Sequence, residues 1–248
     1  MAQMIFLFTD FGIVGPYVGQ MKAVLARRAP QATVIDLMHD APAYGPKFAA
    51  YLLAALAEEL PPDAIVLGVV DPGVGDAQRR PVVLEAAGRR FVGPDNGLFA
   101  VAALRAQDSR WWEITWRPDS LSNTFHGRDL FAPVAAMLEA GEAAPGAPLD
   151  GAEAVGTDWM NDLGEIVYID SFGNAMTGIR SASLPTDAVL KIHDITVRNA
   201  NTFSDVPKGR PIWYRNSIGL VEIAVNQNRA DEVLGLLVGS HVLAMAIT

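Results

Sequence analysis

Three short apolar runs separated by segments of helical spacing constrain this chain more than any other feature. Ile5-Phe6-Leu7-Phe8 runs into Thr-Asp-Phe-Gly (9–12), and Tyr17 to Arg28 follows with Tyr17, Met21, Val24 and Leu25 on one helical face before Pro30. Thr33 to Met38 repeats the strand signal, Lys47 to Leu60 the helix signal, and Ala64 to Val70 is a third apolar strand leading into Asp71. This alternation predicts an α/β N-terminal domain with a mostly parallel sheet covered on both faces. Ligands gather at the carboxyl ends of such strands, where Asp10 and Asp71 fall.

Beyond Pro81 the pattern loosens. Val82 to Glu85, Phe91-Val92 and Trp111 to Trp116 read as strands, Gly-Pro-Asp-Asn-Gly (93–97) opens a short helix, and Arg128 to Ala140 is a helix with Leu130, Val134, Met137 and Leu138 inward. The stretch 141–158 has a linker's composition and divides residues 1–150 from 151–248. The second part carries β-like runs at Glu165 to Ile169, Val189 to Ile192, Ile212 to Tyr214, Leu220 to Val225, Val233 to Val238 and Val242 to Ile247. They predict a smaller all-β domain, a barrel or sandwich.

Charge and cysteine content remove several classes of function. With Lys+Arg 19 against Asp+Glu 28 the net charge is -9, so the averaged field repels nucleic acid and anionic membranes. The absence of cysteine excludes disulfides, thiolate nucleophiles and cysteine-ligated metals, and leaves the redox compartment open. The first residues lack the basic flank and cleavage site of a signal peptide, and no apolar run approaches the roughly 18 residues of a membrane span, so a soluble cytoplasmic protein is expected. There is no phosphate loop and no Gly-x-Ser-x-Gly elbow, Gly73-Val74-Gly75 lacks the third glycine of a dinucleotide fingerprint, and His39, His126, His193 and His241 stand apart, so no metal site is expected.

The remaining polar clusters each admit two readings. Asp10, at the end of the first strand, suits a ribose diol, with Gly12 letting the backbone approach, or caps the next helix. Asp71-Pro72-Gly73-Val74-Gly75 is a site carboxylate or simply a turn, and Arg79-Arg80 a functional or a solvated pair. Thr-Phe-His-Gly-Arg-Asp (124–129) sets His126 before a helix start that favours an anion, while Arg128-Asp129 also reads as a helix-start ion pair. Asp170, Phe172 and Asn174 combine an acid, an aromatic face and an amide suited to a purine, or form a hairpin turn. Asn216 and Ser217, in a polar loop before a strand, can hold a carboxylate or ammonium.

In order and spacing, seven blocks covering nearly the whole chain resemble the S-adenosyl-L-methionine (SAM) hydroxide adenosyltransferases, relatives of the SAM-dependent chlorinase and fluorinase. They are Thr-Asp-Phe-Gly (9–12), Tyr-Val-Gly-Gln-Met-Lys (17–22), Val-Val-Asp-Pro-Gly-Val-Gly (69–75), Gly-Pro-Asp-Asn-Gly (93–97), Thr-Phe-His-Gly-Arg-Asp (124–129), Ile-Asp-Ser-Phe-Gly-Asn (169–174) and Asn-Ser-Ile-Gly-Leu-Val-Glu-Ile-Ala (216–224). The resemblance implies an α/β N-terminal and a β C-terminal domain in a homotrimer, with active sites between the N-domain of one subunit and the C-domain of the next. It implies a catalytic set of Asp71, Arg79 and His126, with Arg80 the alternative arginine because the run from Asp71 is one residue longer here. For the substrate it implies Asp10 on the ribose hydroxyls, Phe172 against adenine, Asn174 on its polar edge, and Asp170 and Ser217 on the methionine end. One departure is Gly178, where Asn is expected.

The implied activity is hydrolysis of SAM to adenosine and L-methionine by displacement at the ribose C5′, with SAM as substrate and no cofactor. The alternatives are a halide-using relative that forms 5′-chloro-5′-deoxyadenosine and a non-catalytic adenosine or SAM sensor.

Overall fold

The computed structural model describes residues 3–245. By its internal contacts the chain divides into two units after Trp159, with Ala55–Glu59 grouped with the second.

Along the chain the first part contains β1 (Met4–Thr9), α1 (Tyr17–Arg28), β2 (Thr33–Met38), α2 (Pro46–Glu58), β3 (Ile65–Val69), β4 (Pro81–Ala86), β5 (Arg89–Pro94), α3 (Ala100–Arg105), β6 (Ser109–Ile114), α4 (Ala132–Glu139) and β7 (Gly146–Leu149). The strands form one sheet in the order β2-β1-β3-β5-β4-β6-β7. The expected mostly parallel sheet is not what forms. β2, β1, β3 and β5 run parallel, but β5–β4, β4–β6 and β6–β7 are antiparallel, so the sheet is mixed. The cause is local: only Ala87 and Gly88 separate β4 from β5, both with positive φ (49° and 75°), and a two-residue primed turn joins antiparallel strands only. The linker-like stretch also enters the sheet, with β7 pairing along β6 as its edge.

The helical spacing of α1 buries Val18, Met21, Val24 and Leu25, which share a core with Ile5, Leu7, Ile65 and Leu67 of the sheet and Leu130, Val134 and Leu138 around α4. A fully buried Leu or Met contributes about 1.5–3 kcal/mol. This face fixes the ends of β1 and β3, from which Asp10 and Asp71 project.

The second unit contains β8 (Leu163–Ile169), β9 (Ala175–Arg180), β10 (Val189–Ile192), β11 (Ile195–Asn199), β12 (Pro211–Arg215), β13 (Leu220–Val225), α5 (Ala230–Leu234) and β14 (Leu243–Met245). It forms one seven-stranded sheet, ordered β14-β10-β11-β12-β13-β9-β8, and α5 makes the unit β-rich where an all-β barrel or sandwich was expected. The sheet is mixed because β11 and β12 pair in parallel across an intervening loop with a 3-10 turn at Phe203–Asp205. Residues 239–242 hydrogen-bond β8 before the chain enters β14. The run Val233 to Val238 is not a strand. Asp231 and Glu232 sit in the first turn of α5, where their negative charges favour the positive end of the helix dipole, and Gly235 in the left-handed region (φ 64°) stops it. Of the expected strand Val242 to Ile247, residues 246 and 247 lie outside the described residues. At Gly178 a Cβ would lie 2.6 Å from Leu163 Cβ, so the expected Asn would collide with β8.

Among the described residues no helix is long and apolar enough to cross a membrane.

Close packing of β3 and β5 depends on two glycines. A Cβ on Gly93 would lie 2.1 Å from the Gly68 carbonyl oxygen, and one on Gly68 would lie 2.8 Å from the Phe99 ring. Gly93→Ala is therefore expected to destabilise the fold by about 3 kcal/mol, through displaced backbone, measured as a lower urea midpoint at unchanged m-value.

Candidate active site

Asp71 lies just past β3, and its side chain is only 3 % exposed. Its Oδ1 receives the guanidinium of Arg79 through Nη1 and the Gly73 amide at 3.3 Å. Its Oδ2 is buried without a hydrogen-bond partner among the described residues. Burial pushes the Asp71 carboxyl above its usual range despite the opposing charges of Arg79 and His126. Desolvation therefore outweighs attraction here, and the unpaired Oδ2 is the reason an incoming donor would be held strongly.

The glycines of the Asp-Pro-Gly-Val-Gly motif each admit one neighbour. A Cβ on Gly73 would lie 2.4 Å from Arg79 Nη2, so the guanidinium lies flat against that backbone. Gly75, at φ 90°, would place a Cβ 2.5 Å from the Asn123 carbonyl, so it brings the segment before His126 against the Asp71 loop. Asn96 supplies the other support, donating from Nδ2 to the Val70 carbonyl at 2.7 Å. Arg80 is engaged elsewhere, on Asp95 at 2.8 Å and on Glu153. Of the two arginines, Arg79 is the one that faces Asp71.

His126 is half-buried at the start of a single π-turn, Gly127–Phe131, that leads into α4. Burial lowers its pKa below the ordinary value of 6.5, Asp71 and Asp129 opposing that shift and Arg117 adding to it. The turn is stapled beneath it: Arg128 is bidentate to Asp129 and reaches Gln20 Oε1 at 2.9 Å, and Asp129 Oδ2 accepts the Ser122 amide at 3.0 Å. Phe125 packs edge-on against Phe11 and Tyr17. Asp10, just past β1, is raised in pKa by burial and by the nearby Asp71 charge, while the Tyr44 amide counteracts. Asp10, Asp71, Arg79 and His126 thus share one neighbourhood in the first unit.

Asp170, Phe172, Asn174 and Ser217 line one pocket of about 920 Å³ within the second unit. Asp170 organises its rim, with Oδ1 accepting the Phe172 and Asn174 amides at 2.8 and 2.9 Å and Oδ2 accepting Asn174 Nδ2 at 3.1 Å. Gly173, at φ 84°, makes the turn possible. Phe172 is left 75 % exposed.

The floor of this pocket was not legible in the sequence. Glu222, 3 % exposed in β13, accepts the Tyr214 hydroxyl and Asn216 Nδ2 (2.9 Å), and Asn216 Oδ1 accepts the amides of Ile218 and Leu220. Burial raises the Glu222 pKa against those two bonds, and burial with the Glu222 bond raises that of Tyr214. Glu222 thereby sets the loop that presents Ser217. The available signal was a lone acid inside Leu-Val-Glu-Ile-Ala-Val. A smaller pocket of about 360 Å³ by the β4–β5 turn is less suited to a ligand, because Arg89 and Arg90 there are engaged by Leu60, Leu138 and Gln3.

Comparisons with known proteins identify the family. A family model described as SAM hydroxide adenosyltransferase N-terminal domain matches residues 5–147, and one for the C-terminal domain matches residues 164–243. A Thermus thermophilus protein named (R)-S-adenosyl-L-methionine hydrolase is 40 % identical over 96 % of this chain and 98 % of its own length. A Salinispora arenicola protein of the same name is 39 % identical over 96 % of each. A solved structure of an uncharacterized conserved protein from Thermotoga maritima superposes with a TM-score of 0.87 at 32 % identity, covering 99 % of this chain and all of that one. The chain belongs to the SAM hydroxide adenosyltransferase family.

Proposed function

We propose that the chain hydrolyses SAM to adenosine and L-methionine, with Asp71, Arg79 and His126 activating water. The observation that carries this reading is the buried Asp71 carboxylate, tied to Arg79 through one oxygen and unpartnered at the other, beside a His126 biased toward its neutral form. The names of the relatives specify the (R) form of SAM, and we extend that form to this chain.

The sulfonium makes methionine a neutral leaving group, so no acid has to protonate the sulfur and no cofactor is required. The difficulty is the nucleophile, because hydroxide is scarce at neutral pH. Asp71 Oδ2 orients a water, His126 takes its proton as the oxygen–C5′ bond forms and the C5′–sulfur bond breaks, and Arg79 stabilises the anionic oxygen. Water suits this site better than halide. A halide arrives as an anion beside Asp10 and Asp71, whereas water arrives neutral and becomes anionic only as its proton leaves.

For recognition, Asp10 holds the ribose diol, Phe172 stacks on adenine and Asn174 meets its polar edge. Asp170 and Ser217 take the methionine end; Asp170 accepts three bonds already and keeps room for the ammonium. The chemistry-bearing cluster and the recognition pocket belong to different units, which supports the homotrimer implied by the family, one subunit's cluster meeting the pocket of the next. A charged nucleoside substrate that does not cross membranes supports a cytoplasmic location.

Turnover in oxygen-18 water is expected to give adenosine labelled at the 5′-oxygen together with unlabelled methionine. Unlabelled adenosine, methylthioadenosine or a chloride-dependent halogenated product would each contradict displacement by water, and tightly bound but unaltered SAM would indicate a sensor.

Arg79→Ala is expected to lower kcat by about 10²–10³ by removing the anion's partner. Arg80→Ala keeps kcat within a few-fold and instead lowers stability by about 2 kcal/mol, because it strips a charged partner from Asp95. Comparable loss of kcat in both variants, or in neither, would remove Arg79 from the mechanism.

The acid limb of kcat/KM is expected to lie below the ordinary histidine value of 6.5, since protonated His126 cannot accept the proton, and to vanish in His126→Asn. The same shift acts on folding. A histidine whose folded pKa is depressed contributes fully above its unfolded pKa and loses that contribution as pH falls toward the folded one. An acid limb unchanged in His126→Asn would refute the assignment.

A further inference from the structure

A second polar chain in the first unit lies outside the proposed chemistry. Lys22 Nζ donates to Asp36 Oδ2 at 2.7 Å, Asp36 Oδ1 lies 3.0 Å from His39 Nε2, and His39 Nδ1 lies 2.8 Å from Thr9 Oγ1. The Thr9 hydroxyl also accepts the Phe11 amide at 3.3 Å. With neutral His39, every donor and acceptor is matched in one direction: Nε2–H donates to the carboxylate, and Nδ1 accepts the threonine proton.

The order Thr–His–Asp has the look of a nucleophile relay, but burial excludes that use. Thr9 is 0 % exposed and His39 4 %, so no substrate atom reaches the hydroxyl, whereas Asp36 is open to solvent. What the chain does hold is backbone. Phe11 N–H ends on Thr9 Oγ1, Gly12 N–H donates to the His39 carbonyl at 2.6 Å, and Ala41 N–H donates to the Thr9 carbonyl at 3.1 Å. Gly12 has φ 71°, so the loop needs external ties to keep one shape. Asp10 lies between the two residues joined by the Thr9–Phe11 bond; of the loop's ties to the β2–α2 connection, the Gly12 and Ala41 bonds run through or beside His39, and the Tyr44 amide meets the Asp10 carboxylate itself.

We infer that His39, held by Asp36 and acting through Thr9, is a positioning residue for Asp10 and sets the geometry with which that carboxylate meets the ribose diol. The inference rests on the reading of Asp10 as the ribose-binding group. His39 touches no reacting atom in it. Its effect is on recognition of the two ribose hydroxyls and, through them, on placement of C5′, where misplacement by about 1 Å is enough to slow reaction.

The test measures binding of adenosine and of 2′,3′-dideoxyadenosine, which lacks the diol, to the full-length protein. In the wild type the diol favours adenosine, and Asp10→Ala abolishes that preference. His39→Ala is expected to weaken adenosine by about tenfold, the equivalent of one hydrogen bond to a charged group, and dideoxyadenosine by less than about twofold. Thr9→Val, nearly isosteric, gives the same selective loss should His39→Ala fail to fold, and Thr9→Ser restores the preference. Equal weakening of both ligands by Thr9→Val or His39→Ala, with Asp10→Ala still selective, would overturn the positioning role and leave the ribose assignment intact. An Asp10→Ala protein that retains the preference for adenosine would overturn the ribose assignment, and the inference with it.

Discussion

A carboxylate shielded at the end of a parallel strand is the constraint on which the first unit is organised. Two unit charges in contact, as Asp71 and Arg79 are, attract by roughly 4 kcal/mol at an effective dielectric constant near 20, while removing each ion from water costs several kcal/mol. The raised Asp71 pKa records that desolvation wins. Such a pair is poor at stabilising a fold and well suited to holding a partner for its free oxygen. The surroundings are consistent with that use: Gly73 makes room for the guanidinium, Gly75 admits the loop before His126, and Asn96 ties down Val70. A site for making hydroxide from water needs such preorganisation, since the charge it stabilises exists only during reaction.

The second unit solves a different problem, presenting an open pocket without letting its rim loops wander. Asp170 and Asn216 each accept two backbone amides, and Glu222 anchors Asn216 from beneath. Polar side chains thus do for these turns what apolar burial does for the strands. The Thr9–His39–Asp36 chain is the equivalent device in the first unit, so in both units buried polar groups hold the loops that carry the proposed recognition residues.

Much of the site was legible because its residues occur in short contiguous motifs at strand ends. Asp10, Asp71, His126, Asp170, Asn174 and Ser217 were visible as polar interruptions of apolar runs and Phe172 as an aromatic among them, and the structure gathers the first three with Arg79 and the other four around one pocket. Glu222 escaped notice because a lone acid in an apolar strand does not show that it turns inward onto Tyr214 and Asn216, and Asn96 and the His39 chain because they have partners distant in sequence. His39 meets Thr9 across 30 residues, and Asn96 meets Val70 across 26. No local pattern encodes those pairings. Sheet direction failed for a related reason: the alternation over residues 5–70 predicts parallel strands, but it does not show that β4, reversed on β5 by Ala87-Gly88, joins the same sheet with antiparallel partners.

By itself the sequence determined the order of strand–helix units, the apolar faces of α1 and the strands, and a family membership carried by seven motifs, because periodicity and motif spacing are local properties. Only the tertiary structure decided that both sheets are mixed, that Arg79 and not Arg80 meets Asp71, and that one oxygen of Asp71 stays unpaired. Two adjacent arginines are chemically alike in sequence. They differ once β4 begins at Pro81 and Asp95, across the hairpin, takes up the nearer one.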